Sequence, residues 1–165
     1  MFALIFGLSF LANAQDVQKD QPKGYQFTDI KRLPATSVKD QARAGTCWSW
    51  SGISFFESEM IRMGKEPIDL SAMYIVRHAY SDKATKVVCL HGSMNFAVRG
   101  AFCDVMHVIK NYGIVPMDVY KGLNYGEPNH AFGEIDDVLA GYINAVIKNS
   151  NKKLSTAWKK GFDGI

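Results

Sequence analysis

One thiol in this chain sits where a sequence can turn it into a nucleophile. The run Lys39-Asp40-Gln41-Ala42-Arg43-Ala44-Gly45-Thr46-Cys47-Trp48 brings Cys47 in just after a glycine, at the start of an apolar pattern with helical spacing. A cysteine attacks as thiolate, and the orphan N–H groups and positive dipole end of a helix's first turn favour that anion. Gln41 lies six positions earlier. Its side-chain amide can reach the Cys47 backbone N–H, and the two donors would make an oxyanion hole for a tetrahedral intermediate. Trp48 would shield the site from water. A cysteine at a helix start is more often a small packed residue than a catalyst. Gln41, Gly45 and Trp48 in register reverse that balance.

The elements that must position this site follow from apolar spacing. Trp48, Phe55, Phe56, Met60 and Met63 predict a helix over 47–63, stopped by Gly64. Gly52 and several serines are poor helix formers, so tertiary burial must carry it. Trp50, Phe55 and Phe56 are assigned to the core, Glu57 and Asp104 to solvent. Ser71 caps a second helix that ends near Tyr80, and a strand signal follows around 86–90. Phe102, Val105, Met106 and Ile109 predict a third helix closed by Asn111-Tyr112-Gly113. Ile114-Val115-Pro116 then runs extended, residues 117–132 form a long loop, and Ile135, Val138, Leu139, Tyr142, Val146 and Ile147 predict a fourth helix. The basic tail 151–165 begins a further one.

Composition bounds the rest. With 165 residues, 47% of them hydrophobic, the chain can bury a core as one domain. A net charge of +3 without a Lys/Arg block excludes a nucleic-acid footprint. Residues 1–14 are apolar and end in Ala12-Asn13-Ala14, which predicts a signal peptide cut before Gln15, although no Lys or Arg precedes the run. No second apolar stretch of membrane length follows, so the expected mature protein is secreted or periplasmic, with no membrane association after cleavage. Residues 15–33 read as a linker or arm, and 34–165 as the folded domain. Cys47, Cys89 and Cys103 are an odd set. Cys89 and Cys103 are expected as small buried hydrophobes, and a bridge between them is not favoured. No CxxC pair occurs, and His78, His91, His107 and His130 form no HExxH cluster, so neither a metal nor another cofactor is expected.

At this point the residues resemble a known family. Gln41, five residues, then Cys47-Trp48 is similar to the signature region of papain-like cysteine peptidases. Leu70-Ser71 resembles the pair that opens that family's next helix. Gly100 resembles its substrate-loop glycine, and Tyr112-Gly113-Ile114-Val115-Pro116 resembles its "YGI-P" segment. These landmarks span about residues 33–125. Ala44 stands where the family usually has a disulfide cysteine, as in the aminopeptidase C and bleomycin hydrolase branch. Arg99 replaces the first glycine of the pair on the substrate wall. The resemblance implies an α+β fold, here its helical, nucleophile-bearing lobe with the β-rich lobe largely missing. It also implies Cys47 as nucleophile, Gln41 as oxyanion donor, and Trp48, Arg99, Gly100 and Ala101 against a peptide substrate. A homo-oligomer is left open for the full-length form.

The family's base is a histidine roughly 130 to 150 residues after the cysteine. Here 165 − 47 leaves 118 residues, and His130 is 130 − 47 = 83 residues on. The expectation is a truncated copy with little or no peptidase activity alone. The alternative is a non-catalytic module of the same fold that holds extended peptides near Gly100.

Overall fold

The computed structural model describes residues 24–165 except 26, 98, 125 and 152. The predicted signal peptide, 1–14, and the arm up to residue 23 lie outside the described residues. The chain divides into two compact units, Met1–Arg32 and Leu33–Ile165. The described residues of the first have no regular secondary structure. All the helices belong to the second.

Among the described residues there are five helices and almost no strand: α1 Cys47–Arg62, α2 Ala72–Cys89, α3 Phe102–Tyr112, α4 Gly133–Ile147 and α5 Ala157–Gly164. The predominance of helix is consistent with the helical lobe of the resembled fold. Two isolated bridges, Arg43 with Ala131 (parallel) and Leu70 with Pro116 (antiparallel), tie loops together.

α2 is the hub, packing against α1, α3, α4 and α5. Ser71 caps it as expected, accepting from the Tyr74 N–H at 3.0 Å, and its hydroxyl donates to the Tyr120 carbonyl at 2.6 Å. The helix does not stop near Tyr80, and residues 86–90 are no strand. Ala79, Tyr80, Ala84, Val87 and Val88 carry one buried stripe on to Cys89. A short run of β-branched residues cannot separate strand from buried helix by periodicity alone.

α1 buries Trp48, Ser49, Gly52, Ile53 and Glu57, a stripe built largely from small and polar residues. Gly52 sets the crossing with α3: a Cβ there would lie 2.8 Å from Val105 Cγ2. Ser49 donates across the interface to the Ala72 carbonyl at 2.8 Å. Two expectations fail here. Phe55 is 51% exposed rather than core, held edge-on against Phe56 and Phe102. Glu57, expected in solvent, is 1% exposed. It lies four residues after Ile53 on the buried stripe, where its carboxylate accepts from the Thr36 hydroxyl, from Lys39 Nζ at 2.7 Å and from the Leu70 N–H at 2.7 Å. Lys39 also pairs with Asp69 at 2.8 Å. Burial alone would lower the Lys39 pKa, but the bonds to Asp69 and Glu57 override it and hold the ammonium above its ordinary value.

In α3 the core face is Val105 and Val108, while Phe102 and Met106, expected on it, are nearly half exposed. α4 forms where expected, and its buried residues are Leu139 and Ile143, one turn apart. α5 docks through Phe162, 4% exposed, whose ring meets Phe96 and Tyr142.

Candidate active site

The loop before α1 is shaped by local bonds. Asp40 Oδ1 accepts from the Ala42 N–H at 2.7 Å, and Ala42 takes a left-handed φ of 49°. The Ala44 N–H then returns to the Gln41 carbonyl at 3.2 Å, and the Arg43 N–H donates to the His130 carbonyl at 2.9 Å. The loop is therefore closed on itself and strapped to residues 130–131. Thr46, fully buried, precedes the helix but does not cap it with its side chain. Its hydroxyl instead accepts from Trp50 Nε1 at 3.2 Å.

The consequence falls on the first turn. Cys47 is the first residue of α1 and its thiol is exposed. Among the described residues neither the Cys47 N–H nor the Gln41 carboxamide has a hydrogen-bond partner. An amide N–H and a carboxamide left without partners are the kinds of donor that can stabilise a developing oxyanion.

Trp48 turns the other way and is 8% exposed. Gly100 lies directly on its indole: a Cβ there would sit 2.4 Å from Trp48 Cε2, so only glycine fits. The Arg99-Gly100-Ala101 segment is held on both flanks. Lys83 Nζ donates to the Arg99 carbonyl, and Asp104 Oδ2 accepts from the Ala101 N–H at 2.8 Å. Asp104, expected to be simply solvated, is half-buried and fastens this segment to α3. The residue beside the nucleophile and the expected substrate wall therefore share one packing contact.

The papain family cysteine protease profile matches residues 22–155, most of the chain. The chain belongs to that family. No curated protein matches it. Membership supports cysteine peptidase chemistry in general terms.

Within this papain family chain three of the four histidines, His78, His107 and His130, pack or pair with other side chains. His78 stacks on Tyr112 with ring centroids 4.3 Å apart, and burial lowers its pKa, with Arg77 adding to the effect. His107 Nε2 lies 3.2 Å from Asp82 Oδ2. His91 sits in the turn after α2 with φ 49°. His130 is 8% exposed, its ring 5.7 Å from that of Trp50, and burial lowers its pKa. Its buried Nδ1 has no hydrogen-bond partner among the described residues.

Cys89 and Cys103 are free and exposed, not buried as expected. Each sits off its helix's buried stripe: Cys103 is two positions before Val105, and Cys89 is one past Val88. The sequence did not single out Lys83, and it placed Glu57 in solvent where the structure buries it. Reading helix-phase burial from Gly52 and Ser49 rather than from the aromatic residues would have placed Glu57 inside.

Proposed function

We propose that this chain carries the nucleophile, Cys47, of a thiol-dependent peptidase, and that with none of its four histidines assigned as base it has little or no turnover on its own. The thiolate attacks the scissile carbonyl carbon and the C–N bond breaks. The amine leaves with a proton taken from solvent, and water later releases the acyl group from sulfur. Gln41 and the Cys47 N–H bind the oxyanion, while Trp48, Arg99, Gly100 and Ala101 flank the peptide. Trimming of N-terminal residues is the proposed specificity, supported by Ala44 and the resemblance to the aminopeptidase C and bleomycin hydrolase branch. The apolar start of the chain supports export as its route.

One observation supports this reading: an exposed cysteine at the first position of α1, where the helix's first-turn N–H groups favour a thiolate. All three thiols are exposed. A clear preference for one of them would then point to its chemical environment. The test is iodoacetamide labelling at neutral pH with mass-spectrometric assignment. Labelling of Cys47 ahead of Cys89 and Cys103 supports the nucleophile. Equal rates at all three would remove it, and leave the non-catalytic peptide-binding module as the better account.

A further inference from the structure

The proposed substrate wall rests on a cation. Lys83 projects from α2 into the angle between Trp48 and the 99–101 segment. Its Nζ is 5.3 Å from the Trp48 ring centroid and 5.8 Å from that of Tyr80, and it donates to the Arg99 carbonyl. Burial lowers its pKa, with Asp104 acting in the opposite sense and Lys86 in the same. Two ring faces and a carbonyl replace part of the water the ammonium loses there.

The arrangement divides the labour along the segment. The Arg99 carbonyl is taken by Lys83 and the Ala101 N–H by Asp104. Gly100, pressed on the indole, has no hydrogen bond to its own N–H or C=O among the described residues. An extended peptide can therefore pair with Gly100 alone, in the manner of strand addition.

We infer that Lys83 is a positioning residue for peptide binding, holding the Arg99-Gly100-Ala101 wall at a fixed height over Trp48 beside Cys47. The inference rests on the Cys47 reading above. Without the ammonium the wall loses one of its two flank ties, and ordering it becomes part of the work of binding. Affinity for the peptide should fall while the thiol keeps its intrinsic reactivity.

The experiment compares the wild-type chain with Lys83→Met, which keeps the apolar stem, and Lys83→Arg, which keeps the charge. A peptidyl chloromethyl ketone labels Cys47 over a range of concentrations, iodoacetamide serves as the small control, and amide hydrogen exchange is followed across 99–101. Circular dichroism establishes that each variant is folded. The expected result is a half-saturating concentration raised roughly tenfold in Lys83→Met, with unchanged maximal labelling rate, unchanged iodoacetamide rate and faster exchange in the wall. Lys83→Arg should restore much of the affinity. Unchanged saturation in Lys83→Met overturns the inference, even if exchange rises, because Lys83 would then be structural only. Unchanged exchange overturns it as well. A wild-type chain whose Cys47 shows no saturation with the peptidyl reagent sinks the peptidase reading instead, and exchange still decides whether Lys83 fixes the wall.

Discussion

The two halves of α1 solve opposite problems. At its first turn Cys47 is exposed, and the hydroxyl of Thr46 is taken by Trp50 rather than by a backbone N–H of the turn. Ten residues on, Glu57 is buried and takes hydrogen bonds from Thr36, Lys39 and the Leu70 N–H. Unsatisfied donors are tolerable only where water or substrate can reach them. The saturated cluster, which fastens the incoming segment to the helix, lets the segment's other end stay open. Lys39 is bound at Glu57, and Gln41 follows two residues later.

The sharpest way to break this contrast is Glu57→Ala. Removing one partner of a buried charge pair leaves the Leu70 N–H unpaired and Lys39 with Asp69 as its remaining ion pair, and the expected loss is about 3 kcal/mol, read as a lower urea midpoint. Glu57→Gln should retain part of the stability through its amide oxygen. If Glu57→Ala unfolded no more easily than wild type, the cluster would not be what anchors the segment.

Gly100→Ala probes the open end. A methyl 2.4 Å from the Trp48 ring must push indole or wall aside, for an expected destabilisation of roughly 1–3 kcal/mol and a shift in Trp fluorescence. A neutral outcome would mean the wall does not lie on Trp48.

The smallest effect is one of pH. His78 and His130 both have pKa values lowered below the ordinary 6.5 by burial. The unfolded chain therefore binds their protons first, and stability should be full above about 6.5 and decline as pH falls below it. His130→Phe should flatten part of that decline in thermal melts taken between about pH 7.5 and roughly 5. An identical slope in the variant would show that His130 is not among the groups responsible.

Much of this was legible in the residues. The helix start at Cys47, the Ser71 cap, the closure of α3 at Gly113 and the span of α4 each rest on local chemistry that spacing reveals. What was not legible depends on partners distant in sequence. Glu57 reads as a solvated charge until Thr36, Lys39 and Leu70 converge on it. The stripe of α1 hides behind Ser49 and Gly52, since small residues signal close packing only when Ala72 and Val105 are known to face them. The far half of α2 looks like a strand until its neighbours bury one face of it.

That extension of α2 carries a constraint on how the protein can change. Lys83 reaches Arg99 only because the helix runs unbroken from its cap at Ser71, and each residue turns about 100° about the axis. A single insertion or deletion between the two would swing the ammonium off the wall and onto another face. The turn and loop after Cys89 carry no such phase. Length variation should therefore be tolerated after the helix and rejected within it.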